Sequence, residues 1–173
     1  MNREIIKYSI LFIVMLILQV LVFNRIVLFN VAVPMVFIYF FVKLPIGINK
    51  ILLFSLAFVL GFLVDLFSDT LGVNSLACTL IAAAKRPMFF AYVQRDDRSE
   101  EVVPGLISIG IPSFMKFLFT FSFAYCLMAF CIEYFSFADV KDILIMTASS
   151  GVLTFLLMLG FDSLIITTSE KRS

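Results

Sequence analysis

The chain has 173 residues, 62% of them hydrophobic and 14% charged, against roughly 45–50% and about 25% in a soluble domain. Its formal net charge of +1 points to no nucleic-acid partner and no strongly acidic substrate. There is no His, which removes every mechanism that needs imidazole as base, acid or ligand.

The length fits one domain, read here as a single transmembrane domain over residues 1–173. A spanning helix needs roughly 17–25 mostly apolar residues. Arg3 and Lys7 precede the first such run, at about residues 8–24. That run is followed by Asn24 and Arg25 and not by a cleavage site of small residues, so it reads as a retained first helix. Pro34 interrupts the next uncharged stretch, which predicts a short second span at about 31–43. The turn Lys43-Leu44-Pro45-Ile46-Gly47 ends it.

A third span is expected at 51–68, with Asp65 in its last turn. A fourth is expected at 72–92, with a kink at Pro87. Gln94 to Glu101 forms the one strongly polar loop. The apolar stretch from Val102 to Ile132 is too long for one span. Pro112 suits the first position of a helix, where a missing N–H costs nothing. The fifth span is therefore placed at 112–134, and Val102 to Ile111 becomes a short interfacial piece. A sixth follows at 143–167. The expected fold is an all-α integral membrane protein, a bundle of six transmembrane helices.

Lys and Arg are retained on the cytoplasmic side of a membrane. With the N-terminus inside, Arg3, Lys7, Lys43, Lys50, Lys85, Arg86, Arg95, Arg98, Lys171 and Arg172 face the cytoplasm, and Arg25 and Lys141 face out. Lys116 lies one turn into the fifth span and snorkels back. This bias requires an even number of spans, with both termini cytoplasmic.

Ionisable residues inside spans are costly and are functional hypotheses by default. Asp65 leads them. Gly61, Asp65 and Ser68 follow at i, i+4 and i+7 and share one helix face, and the Gly allows another helix to approach closely. A carboxylate at a helix C-terminus opposes the dipole, so Asp65 needs a donor or cation, with Arg25 and Asn74 the nearest. It reads either as a structural cap or ion pair fixing the turn between spans three and four, or as part of a partner-binding site with Gly72 and Asn74. Asn74 or Ser75, after Gly72, reads as a cap of the fourth helix or as a direct partner contact. The Lys43 to Gly47 turn, with Lys43 and Pro45, reads as a topology signal or a partner contact. Asp162 is expected to pair with Lys116 or with Lys171 and Arg172.

Asp65 and Asp162 fall at opposite faces of the bilayer in this topology, so they form no catalytic dyad. The nucleophile-elbow, phosphate-loop and zinc motifs are missing, and an enzyme is not expected. Cys78, Cys126 and Cys131 all lie in apolar runs without metal-ligand spacing. No metal, cofactor or disulfide is expected.

Several of these residues together resemble a known family. Gln19-x5-Arg25, Pro34 opening a short second helix, and Gly61-Phe62-Leu63-Val64-Asp65-Leu66-Phe67-Ser68 followed by Gly72-Val73-Asn74 are similar to MreD, a small membrane subunit of the bacterial rod-shape system. The Lys43 to Gly47 turn and Ile111-Pro112-Ser113-Phe114 add to the likeness, which covers essentially the whole chain. The resemblance implies a non-catalytic role in cell elongation in the bacterial inner membrane. Its implied partners are membrane lipid, the bitopic protein MreC, a RodA-type polymerase with its transpeptidase, and the actin-like MreB. MreD-like proteins are in turn similar in fold to the substrate-binding subunits of energy-coupling-factor vitamin transporters, which gives the alternative function. Those subunits carry small residues on their first helix, whereas Tyr8 to Phe23 contains neither Ala nor Gly.

Overall fold

The computed structural model describes residues 2–25, 32–70, 72–93, 102–134 and 139–170. Every regular element among them is helical. The order is α1 (Asn2–Leu21), a short 3-10 turn (Phe23–Arg25), a second 3-10 turn (Val36–Ile38) running into α2 (Tyr39–Lys43), α3 (Lys50–Ser68), α4 (Val73–Tyr92), α5 (Ile111–Glu133) and α6 (Val140–Glu170).

The ends of these helices follow from local chemistry. The Asn49 side chain accepts the N–H of Ile51 at 3.0 Å and starts α3. Asp69 stops α3 in the left-handed region at φ 54°, a conformation that Asp tolerates better than most residues. Pro112 sits in the first turn of α5. Pro87 lies within α4, which continues past it to Tyr92.

Among the described residues, four segments are long and apolar enough to cross a membrane: Glu4–Leu21, Lys50–Ser68, Ile111–Glu133 and Val140–Leu164. They leave large apolar side chains exposed, among them Ile10, Ile17, Phe62, Phe119 and Leu156. Such an exterior is costly in water and suited to lipid.

Helices α3, α4, α5 and α6 pack in chain order, and α1 packs against α3. The segment Val36 to Val42 lies at the centre, with every residue at most 1% exposed. Its rings reach several neighbours. Phe40 meets Phe12 of α1 edge-on at 5.3 Å, Phe37 meets Tyr125 of α5 at 5.6 Å, and Tyr39 lies against Phe161 of α6. Such edge-to-face pairs add about 0.5–1.5 kcal/mol each beyond burial.

The second element is shorter than the expected 31–43. Ala32 to Met35 carries no helix, because Pro34 supplies no N–H and biases the residue before it away from the helical region. Among the described residues of this stretch only Val36 to Lys43 is helical, and residue 31 lies outside them. Buried non-helical backbone must find partners elsewhere, and here side chains of α1 and α6 supply them. The N–H groups of Val33 and Met35 donate to Ser150 Oγ and Thr154 Oγ1, each at 3.0 Å. Gln19 Oε1 accepts from Val36 and Phe37, and Gln19 Nε2 donates to the Pro34 carbonyl at 3.0 Å.

Helix α6 begins at Val140 and runs to Glu170, longer than the expected 143–167. The Val102 to Gly110 segment forms turns, with Pro104 and Gly105 buried against the bundle.

Candidate functional site

The α3–α4 corner brings Asp65, Asn74 and Ser75 together. Asp65, 5% exposed, accepts five hydrogen bonds. Its Oδ1 takes the Thr70 hydroxyl at 2.7 Å, the Asn74 N–H at 2.9 Å and the Asn74 side-chain amide at 3.0 Å. Its Oδ2 takes the Ser75 N–H at 2.8 Å and the Ser75 hydroxyl at 2.7 Å. The carboxylate that is unfavourable at its own helix C-terminus is thereby set at the N-terminus of α4, where free N–H groups and the dipole favour an anion.

Asn74 and Ser75 are therefore not themselves the cap of α4. Gly72 occupies the cap position at φ 79° without a side-chain hydrogen bond, and Asp65 supplies the acceptor from nine and ten residues upstream. Asn74 also donates to Thr70 Oγ1 and accepts the Tyr125 hydroxyl at 2.7 Å, which ties the corner to α5. Gly61 is what lets the helices meet. A Cβ there would lie 2.5 Å from the Asn74 carbonyl oxygen and 2.6 Å from Ser75 Cα.

Ser68 is engaged elsewhere, accepting from Asn24 Nδ2 at 2.7 Å. Asn24 in turn accepts from Gln19 at 3.0 Å, so a chain of side chains runs from α1 to the end of α3. Arg25 falls in the Phe23–Arg25 turn, and its side chain lies outside the described residues.

A second polar cluster binds the Lys43 to Gly47 turn. Lys43 forms an ion pair with Asp162, and its Nζ donates to the Pro104 carbonyl at 3.2 Å. Asp162 also accepts the Tyr39 hydroxyl at 2.7 Å and the Leu106 N–H at 3.1 Å. Lys43 is the partner of Asp162 because α2 sits inside the bundle against α6. Lys116, the expected partner, is exposed, and Lys171 and Arg172 lie outside the described residues.

Lys85 departs from its expected place among surface cations. It is 1% exposed and donates to the carbonyls of Leu44 at 2.6 Å and Pro45 at 3.5 Å. Its spacing carried the signal: Cys78, Ala82, Lys85 and Phe89 form one buried stripe of α4. Gln19, Tyr39, Ser150 and Thr154 were likewise missed as site residues. On α6, Thr147, Ser150, Thr154, Met158 and Asp162 fall on one buried face, a polar stripe that helical periodicity makes visible.

Two hollows flank the α3–α4 corner and share Asp69 and Thr70 at their rims. One is a cleft of about 810 Å³ bordered by Gln19, Asn24, Asn74, Phe130 and Glu133. The other is a groove of about 790 Å³ on the outer side of α3 and α4, walled by Phe58, Phe62, Leu66 and Leu76. Among the described residues no group of three or more His, Cys, Asp or Glu side chains could hold a metal ion.

No family model matches the chain, and neither does any curated protein or solved structure.

Proposed function

We propose that this chain is a non-catalytic subunit of the bacterial cell-elongation machinery, an MreD-like protein of the inner membrane. In this reading it binds an MreC-like bitopic protein and helps organise peptidoglycan synthesis with a RodA-type polymerase, its transpeptidase and MreB. The observation that carries the reading is that Gly61, Asp65 and Asn74, central to the resemblance, form one packed unit at the α3–α4 corner.

The proposal includes six crossings with both termini in the cytoplasm. Helix α4, flanked by α3 and α5, crosses beside them although Lys85 and Arg86 lower its hydropathy. The second crossing is a broken one. The helical part from Val36 to Lys43 covers only ~12 Å of a core ~30 Å thick. Non-helical backbone is tolerated at that depth when protein surrounds it, as Gln19, Ser150 and Thr154 surround Ala32 to Met35. The Lys and Arg bias supports this orientation.

One observation favours a second reading, the substrate-binding subunit of an energy-coupling-factor transporter. The cleft beside Asn74 has the size of a small-molecule site. Co-purification of the tagged chain in mild detergent separates the two. Recovery of MreC-like and RodA-like proteins is expected. Recovery of a paired ATPase with a coupling membrane subunit would replace the scaffold reading with vitamin uptake.

A further inference from the structure

The groove on the outer side of α3 and α4 is walled by apolar side chains. Phe58 and Phe62 stack with rings nearly parallel, 9° apart and 6.2 Å between centroids, and with Leu66 they form one wall. Leu76 forms the other. The floor is Ser75 and Thr79, small residues one turn apart, with Gly72 exposed at one end. Both floor hydroxyls are already engaged: Ser75 Oγ donates to Asp65, and Thr79 Oγ1 donates to the Ser75 carbonyl at 2.8 Å. The floor therefore offers shape and close approach and no free donor. From Phe58 to Leu66 the groove runs ~12 Å, about two turns of a helix.

The charge at its end selects among occupants. Asp69 is exposed at the rim, and no described cation pairs with it. A phospholipid seated here would bring its phosphate toward that carboxylate. A second copy related by a two-fold axis along the membrane normal would add another Asp69 carboxylate at the same depth. A helix with a Lys or Arg just beyond its apolar segment matches both the floor and the rim.

We infer that this groove seats the transmembrane helix of a single-span partner, with a basic residue of that partner at Asp69. The inference rests on the scaffold reading above and names the surface it uses. The test places a photo-crosslinking amino acid at Leu76, in the groove, or at Leu156, on exposed α6, in cells carrying the partner. Crosslinking from Leu76 and not Leu156, mapped by mass spectrometry to the basic end of a single transmembrane segment, is the expected result. Thr79→Phe, which fills the floor, is expected to cut partner recovery about tenfold. Asp69→Asn, which keeps a residue tolerant of positive φ, is expected to cut it about two- to fivefold. Neutralising the partner's basic residue in that background should then add little. Both variants are checked for an unchanged size-exclusion profile, and Leu76→Ala gives a second groove variant should Thr79→Phe fail that check.

Crosslinks only to phospholipid or to a second copy would overturn the inference. Full partner recovery with Thr79→Phe and Asp69→Asn would overturn the groove and leave the scaffold reading standing. Recovery of no single-span protein by the unmodified chain would bring down both.

Discussion

Asp65→Ala tests the corner directly. The substitution leaves the N–H groups of Asn74 and Ser75 without the acceptor that the carboxylate provides. Each buried donor left unmade costs about 1–3 kcal/mol. The three side-chain donors lose less, because the Asn74 amide also reaches Thr70 Oγ1 and hydroxyls can rotate to other acceptors. The expected loss is therefore ~2–6 kcal/mol, concentrated on the attachment of α4. Asp65→Asn keeps one oxygen and should lose about half as much. Cys78 on α4 is fully buried and reports the opening. With Cys126 and Cys131 replaced by Ala, thiol labelling of Cys78 in micelles measures how often α4 separates from the bundle. At tenfold per 1.4 kcal/mol, Asp65→Ala should speed labelling at least about twentyfold, with Asp65→Asn between it and the parent. A rate within about threefold of the parent for Asp65→Ala would refute the remote cap.

Gln19→Leu removes the acceptor of Val36 and Phe37 and the donor to Pro34, and should lower stability by ~2–4 kcal/mol, read as a reduced denaturation midpoint in detergent. Gly61→Ala places a Cβ against α4 backbone that cannot move aside, so loss of a monodisperse size-exclusion peak is expected. Lys43→Met or Asp162→Leu alone strands a buried charge and should cost about 3–5 kcal/mol, whereas the double variant should recover much of that loss in the same denaturation assay.

The parts of the fold that depend on hydropathy alone were legible in the sequence. Helices α3 and α5 rest on long apolar runs, and Pro112 marks the start of α5 within the helix it controls. The close approach at Gly61 was legible for the same reason, since a helix face is set by spacing. The capping of α4 was not. Asp65 reaches it across a turn, and a local pattern gives Asn74 and Ser75 equal standing as caps. The partner of Asp162 was missed on similar grounds. Its choice depends on α2 lying inside the bundle, which follows from side chains more than a hundred positions away: Ser150 and Thr154 satisfy Val33 and Met35. Lys85 was placed at the surface because charge was weighed before register, although its stripe with Cys78, Ala82 and Phe89 was readable.

The same hydrogen bonds bear on where function resides. Both oxygens of Asp65 are occupied, and Asn74 uses both amide hydrogens and its oxygen. Gln19 accepts two backbone N–H groups and donates to Pro34 and Asn24. A small polar ligand held by these residues would have to break bonds that fix α2 and α4, at about 1–3 kcal/mol for each buried group left unpaired. A helix docking on the outer side of α3 and α4 leaves every one of them intact. It meets residues whose polar groups are already satisfied and whose exposed surface is apolar, with Asp69 the charged exception at the rim. On the proposed reading, that asymmetry favours recognition on the outer face of the corner, with Asp65 structural at its own atoms and acting through the surface it holds in shape.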